Sequence, residues 1–317
     1  MSGRAGDESR ELAAASIEGM DAPSHASAGL GSWFSLVKFR HSIFALPFAL
    51  MSAWLAAWGP PSARVLALIL LCAVAARTAA MAFNRWLDRD IDAANPRTSG
   101  REIPAGVLSA RSVLVLALAS SIVFIAGAFA LNPLAGKLSF PVLAVLLGYS
   151  AVKRFHWSAH LVLGLALGLA PLGAWIAVRG DVGEDAVVPL CLAAAVLAWV
   201  AGFDLIYACQ DADFDRARGL HSIPARFGAR RALVVSRLLH LLAFGLLALL
   251  WWLGRADFGP LFPAAILIAG GLFVWQHRIV SAEDLSRVDM AFFTLNGWVG
   301  VLLFLGLALD LAFGVHW

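Results

Sequence analysis

An all-α, polytopic membrane protein is the fold this sequence predicts, and three observations predict it. Hydrophobic residues make up 61% of the 317 positions and charged residues only 14%, against roughly 25% charged in average soluble domains. The mean hydropathy is +0.80. The apolar residues come in runs long enough to cross a hydrocarbon core of about 30 Å as helices. These runs lack period-two alternation and are too long for barrel strands. Helices also satisfy their own backbone hydrogen bonds in lipid, which open strands cannot do. The basic residues, finally, segregate by segment. This composition excludes a disordered chain, a nucleic-acid binder and an ordinary soluble enzyme.

Along the chain, residues 1–30 are rich in Ala, Ser and Gly and carry mixed charges, without an apolar core of signal-peptide length. They are expected to form a flexible tail, with room for a short helix around Glu11–Met20. Residues 31–317 are expected to form a single transmembrane domain. Nine spans are predicted, at about 42–58, 63–83, 112–131, 138–152, 158–178, 187–208, 232–253, 260–276 and 290–313. The three cysteines, Cys72, Cys191 and Cys209, are far apart and in or beside apolar stretches, which argues against disulfides or a zinc site. Nineteen of the 24 Lys and Arg residues fall in the N-terminal region and the loops after the second, fourth, sixth and eighth spans. Four fall on the other side, and Arg77 lies inside a span. The positive-inside rule then places the N-terminus and the two long loops in the cytoplasm and the C-terminus outside.

Those two loops hold the unusual chemistry. The first runs Asn84-Arg-Trp-Leu-Asp88-Arg-Asp90-Ile-Asp92 and continues through Arg97 and Arg101. The second runs Asp204-Leu-Ile-Tyr207-Ala-Cys-Gln-Asp211-Ala-Asp213-Phe-Asp215, followed by Arg216, Arg218 and His221-Ser-Ile-Pro-Ala-Arg226. Asn84, Asp88 and Asp92 share one helical stripe, and Asp204, Tyr207, Asp211 and Asp215 share another. Like charges repel, so a carboxylate stripe at a membrane surface suggests a cation. Oxygen-only ligands point to a hard ion such as Mg²⁺, and two stripes could hold two ions. Asp88 to Asp211 and Asp92 to Asp215 are both 123 residues. An offset of that size lays the second to fifth spans on the sixth to ninth, a parallel four-helix internal repeat with a site at its interface. Acidic stripes beside basic groups suit a metal-bridged phosphate or diphosphate.

Tyr149, Lys153 and Arg154 end the fourth span on the same side, as a diphosphate clamp or as snorkelling anchors. Arg97 and Arg101 carry the same two readings. Asp204 sits inside an apolar helix, where an ionisable group is a functional candidate by default. Lys38, Arg40 and His41 open the first span as interface anchors or substrate contacts. Asp289 and Asn296 could face the same cavity or serve helix packing. His156, His160, His240 and His277 show no ligand spacing and read as structural.

With these motifs in view, the chain resembles the UbiA superfamily of intramembrane aromatic prenyltransferases over about residues 34–315. The resemblance rests on Asn84-xxx-Asp88-xxx-Asp92 with Asp211-xxx-Asp215, on Asp204-Leu-Ile-Tyr207, and on Tyr149-Ser-Ala-Val-Lys153-Arg154. It is supported by Gly219-Leu-His-Ser-Ile-Pro-Ala-Arg-Phe-Gly228 and the opening Lys38-Phe-Arg-His-Ser-Ile-Phe-Ala-Leu-Pro47. One departure is Arg85, where many members have Asp; Asp90 could compensate. The resemblance implies nine helices around a lipid-open cavity. It implies two Mg²⁺ ions held by Asn84, Asp88, Asp92, Asp211 and Asp215, with Arg97, Arg101, Tyr149, Lys153 and Arg154 on the diphosphate of a polyprenyl donor. Asp204 and Tyr207 would be catalytic, and Arg40, His41 and Asn296 would lie near an aromatic acceptor. The acceptor is expected to be 4-hydroxybenzoate or a dihydroxynaphthoate, in ubiquinone or menaquinone biosynthesis at a bacterial inner membrane. The run Tyr207 to Gly228 resembles above all the futalosine-route menaquinone members. Two other classes compete. A transporter would use the carboxylates for ion coupling, but they sit at helix ends rather than at the midplane. A CDP-alcohol phosphotransferase would need an Asp-Gly-xx-Ala-Arg lead-in that is absent.

Overall fold

The computed structural model describes residues 29–37, 44–254 and 258–313. Nearly all of the expected tail, and the candidates Arg40 and His41, lie outside the described residues. Within them the chain is helical and has no strand. The helices are α1 (Leu30–Val37), α2 (Leu46–Ala57), α3 (Ala63–Ala94), α4 (Ala110–Leu131), α5 (Pro133–Val152), α6 (Ala159–Arg179) and α7 (Val187–Ala208). They continue with α8 (Ala212–Ala217), α9 (Ile223–Phe227), α10 (Ala229–Leu253), α11 (Leu261–Ile279) and α12 (Asn296–Phe313), the last preceded by a π-helical turn, Met290–Leu295. Eight helical stretches are long and apolar enough to cross a membrane. The first expected span is instead the 12-residue α2, about 18 Å long and short of a bilayer core. The described residues therefore give eight full-length spans and one shorter apolar helix, not nine. The four-helix internal repeat remains a reading of the 123-residue offset.

Consecutive spans pack as antiparallel neighbours. α3 to α6 pack together, α7 packs against both α6 and α10, α11 packs against both α10 and α12, and α2 joins α12 to α6. The most buried span is the one built on α7. Its aromatic residues Trp199 and Phe203 pack with Phe48, Met51, Phe262 and Leu303 in the main core. The approach of α6 to α7 is set by Gly164-Leu-Ala-Leu-Gly168. A Cβ on Gly164 would stand 2.4 Å from the Leu197 carbonyl oxygen, and one on Gly168 would stand 2.7 Å from that of Ala193. Such small-residue spacing lets two backbones touch in lipid.

Local sequence fixes the ends that matter. Asn132 caps α5, accepting from the Ala135 N–H at 2.8 Å, with Pro133 at its first turn. α3 continues as one helix for 32 residues, about 48 Å, so motif one rides on a projecting extension of a span. Motif two departs from the single helical stripe expected. α7 ends at Ala208, a 3₁₀ turn covers Cys209–Asp211, and α8 restarts at Ala212. The tighter turn redirects Asp211 relative to Asp204. Asp310 is buried on α12 and accepts from the Leu261 and Phe262 N–H groups at 3.0 and 2.7 Å, capping α11.

Candidate active site

The ends of α3, α5 and α7 converge, and the loop after α3 folds over them. Asp88 is buried on α3. Its carboxylate takes Lys153 Nζ at 2.6 Å, Arg154 at 2.8 Å and the Asn84 amide at 3.2 Å. Asn84 also reaches the Ser150 hydroxyl at 3.2 Å, and Arg154 the Leu87 carbonyl at 2.8 Å, so both are held in register with α5. One turn on, Asp92 takes both oxygens' bonds from Arg101 at 2.7 and 2.8 Å. The loop is shaped by Asn95, whose side-chain oxygen accepts from the Arg97 N–H at 2.9 Å, and by Thr98, whose hydroxyl donates to the Asp92 carbonyl.

This loop joins the two motifs. Arg97 forms a bidentate pair with Asp211, its Nε at 2.8 Å and a second nitrogen in closer contact, and donates to the Tyr207 hydroxyl at 2.9 Å. Asn95 donates to the same carboxylate at 3.1 Å. Burial works against the Arg97 charge, but the hydrogen bond and negative charge of Asp211 outweigh it and hold its pKa above the ordinary value. The His221 N–H donates to the Lys153 carbonyl at 2.7 Å, tying the second loop to α5. Asp215 accepts from the Ser222 hydroxyl and lies near Lys153 and His160.

Deeper on α7, Asp204 bonds His160 Nδ1 of α6 at 2.7 Å, while His160 Nε2 is buried with no partner among the described residues. The glycine approach of α6 to α7 brings these two side chains together. Above Asp204, the Tyr207 ring meets Phe292 at a tilt of 37°, with centroids 4.4 Å apart. Phe203 and Phe44 extend that aromatic wall at 5.1 and 5.4 Å. Beside the cluster, α2 to α6 enclose a cavity of about 190 Å³ whose wall is almost wholly apolar. Tyr149 lines this cavity rather than the carboxylate cluster. Arg77, two turns below Asn84 on α3, is the one charged group among its described lining residues, and its Nε has no partner.

The structure thus brings together Asn84, Asp88, Asp92, Arg97, Arg101, Lys153, Arg154, Tyr207 and Asp211. It does not bring Asn296 to an open cavity. Asn296 is completely buried, accepting from Trp199 Nε1 and Gln276 Nε2, each at 2.8 Å, and donating to the Ala291 and Phe292 carbonyls. Its polar atoms are spent on the π-helical turn, which corrects its reading as an acceptor contact. Nor does Asp90 replace the carboxylate missing at Arg85. Asp90 is 84% exposed and pairs with Arg89, and Arg85 is buried. Sequence reasoning passed over Asn95, Ser150, His160 and Arg77 as site residues. For Arg77 the signal was available, since an arginine within a span is a functional candidate by itself.

The donor set is oxygen-only, which fits a hard divalent cation. No three described His, Cys, Asp or Glu residues converge into a ready cation site, because a basic side chain lies on each of Asp88, Asp92 and Asp211. The arrangement is a set of paired charges that a diphosphate and its cations could divide between them, the carboxylates taking metal and the basic groups taking phosphate oxygens.

Comparison with known proteins matches this geometry. The UbiA prenyltransferase family matches residues 45–308. A 4-hydroxybenzoate octaprenyltransferase of Azoarcus sp. (strain BH72) is 32% identical over 286 residues, covering 90% of this chain and 96% of that protein. A UbiA homolog from Aeropyrum pernix K1, solved in its apo form, superposes with a TM-score of 0.78 at 36% identity, covering 85% of this chain and 98% of that one. A UbiA homolog from Archaeoglobus fulgidus bound to GPP and Mg²⁺ shares the fold, with a TM-score of 0.68 at 21% identity, over 89% and 99% of the two chains. The chain belongs to the UbiA prenyltransferase family.

Proposed function

We propose that this protein transfers a polyprenyl group, in a Mg²⁺-dependent reaction, from a polyprenyl diphosphate to a carboxylated phenolic ring in quinone biosynthesis. The observation that carries this reading is the Arg97–Asp211 bridge. It locks two carboxylate motifs and four basic side chains into one charged cluster at the edge of an apolar cavity. The A. fulgidus homolog's bound GPP and Mg²⁺ and the name of the Azoarcus relative support it.

Bound Mg²⁺, two ions in this reading, would neutralise the diphosphate as it leaves. Asn84, Asp88, Asp92, Asp211 and Asp215 are the residues that would hold it. Arg97, Arg101, Lys153 and Arg154 then move from the carboxylates to diphosphate oxygens, so charge stays balanced throughout. Breaking the allylic C–O bond leaves a cation that must be kept from water. The rings of Tyr207, Phe292 and Phe203 present π faces to it. Arg77 lies about 10 Å from Asn84 along α3. A ring whose carboxylate pairs with Arg77 therefore reaches up towards the cluster with its hydroxyl-bearing end, where the carbon beside the hydroxyl attacks. Asp204, held by His160, takes the role of orienting that end or of accepting the proton that the attacked ring carbon loses.

Between acceptors, 4-hydroxybenzoate is favoured by the relative's name and dihydroxynaphthoate by the Tyr207 to Gly228 run. The deciding experiment supplies both to membranes with labelled donor, with and without EDTA. Transfer to 4-hydroxybenzoate that EDTA abolishes is expected. Transfer to the naphthoate alone reassigns the acceptor, and transfer unaffected by EDTA removes the metal.

A further inference from the structure

α10 and α11 enclose a second groove, of about 590 Å³, that shares no residue with the carboxylate cluster. On α10 its lining residues Arg237, His240, Leu241 and Phe244 recur at helical spacing, so they share one face. On antiparallel α11, Arg278 and His277 stand at the matching end, while Val274, Gly270 and Leu267 run away from it. The groove is therefore basic at one end and apolar along the rest. Its basic end is the end of the bundle that bears the acidic motifs, because α10 begins there after α9. Gly270 gives the groove its floor: the Phe244 ring lies 2.8 Å from where a Cβ would stand. Among the described residues neither Arg237 nor Arg278 forms an ion pair.

We propose that this groove binds an anionic phospholipid, its phosphate between Arg237 and Arg278 and an acyl chain along Leu241, Phe244, Val274 and Leu267. Charge and position select that occupant. Leu241 and Leu267 are 66% and 68% exposed on a membrane-facing surface, so a soluble phosphate would leave the apolar half uncovered. A zwitterionic lipid would set its amine against two uncompensated guanidinium groups. Basic pockets between spans at a membrane face have the chemistry of anionic lipid headgroup sites.

The floor of the groove connects to the active-site helix. His240 bonds His277 at 2.9 Å and the Trp199 carbonyl of α7 at 3.3 Å. Its ring lies where a Cβ on Gly202 would be, and the neighbouring Ser236 hydroxyl donates to the Gly202 carbonyl at 2.6 Å. Gly202 stands two residues before Asp204. A lipid seated on His240 thus braces α7 where its functional residues begin.

The test is native mass spectrometry of the full-length protein from detergent containing equal phosphatidylglycerol and phosphatidylcholine. Each arginine near an anionic headgroup contributes about fivefold, so retention of phosphatidylglycerol should exceed phosphatidylcholine by roughly thirtyfold. Arg237→Gln with Arg278→Gln should abolish that preference. Arg230→Gln with Arg231→Gln, which removes two exposed charges outside the groove, one of them already paired with Glu283, should change it far less. Val274→Trp, which fills the groove and keeps both arginines, should also lower retention. Equal retention of the two lipids, equal loss in both arginine pairs, or no effect of Val274→Trp would overturn the proposal.

Discussion

Asp88 illustrates how the cluster is poised. It is nearly inaccessible to solvent, yet it has a lysine, an arginine and an amide on its two oxygens. Removing one side of so tightly paired a cluster leaves the others unpaired at high cost. Asp88→Ala should therefore lower turnover by at least about a hundredfold, the upper range for disturbing even the partners of a metal's ligands, while the protein still reaches the membrane. Turnover near wild type would remove Asp88 from the metal set. Arg77 makes the opposite case: its buried Nε has no partner among the described residues. A hydrogen bond to a charged group is worth about 1.5–3 kcal/mol. Arg77→Gln should accordingly raise the acceptor KM by roughly ten- to a hundredfold and leave the donor KM unchanged. A rise in donor KM instead would place Arg77 at the diphosphate. Asn84, Asp88 and Asp92 were legible in the sequence because helical spacing alone puts them on one stripe. His160 was not, because its meaning comes from Asp204 across a helix interface that no spacing along one segment encodes. Asn296 misled for the same reason: two of its four partners, Trp199 and Gln276, lie on other helices.

At the level of elements, close packing and capping decide where those side chains stand. Gly164 and Gly168 allow α6 to lie against the α7 backbone, and His160 meets Asp204 one turn beyond. Gly164→Val would force its new carbons into the Leu197 carbonyl. Overpacking of this kind costs about 1–3 kcal/mol, and the unfolding temperature should fall with activity. Gly173→Val, on the same helix but with the cavity rather than α7 at its Cβ, should leave the unfolding temperature unchanged; an equal fall at both positions would mean that helix propensity, not the α6–α7 approach, is responsible. Asp310 gives a second test. Its carboxylate caps α11 from another helix, so Asp310→Ala should destabilise by about 1–2 kcal/mol, read as a lower unfolding temperature. An unchanged temperature would mean that the cap contributes nothing. Hydropathy located the spans well because lipid demands long apolar helices. It could not locate the 3₁₀ break at Cys209–Asp211 or the π-helical turn at Met290–Leu295, since both depend on cross-helix bonds, those of Asp211 to the loop after α3 and those of Asn296 to Trp199 and Gln276.

At the scale of the molecule, one end of the bundle holds both acidic motifs, their basic partners and most of the described Lys and Arg. The opposite end is sparsely charged, and the sides present leucine, isoleucine and phenylalanine, with Ile122 and Phe140 among the most exposed. This asymmetry predicts which way the protein faces. Basic loops resist translocation, so the charged end should remain in the cytoplasm, where a water-soluble diphosphate headgroup and Mg²⁺ reach the cluster directly. The three cysteines are buried, which leaves a low background for thiol labelling. Glu283 is exposed at the charged end, held there by Arg230 at 2.8 Å, and Glu184 is exposed beyond the opposite end of α6. In right-side-out vesicles, a membrane-impermeant maleimide should modify Glu184→Cys and spare Glu283→Cys; inverted vesicles should reverse the pattern. Labelling of Glu283→Cys from outside would invert the topology. The diphosphate-binding end would then face away from the cytoplasm, and the segregation of the basic residues would have to follow from pairing with substrate and carboxylates rather than from membrane insertion.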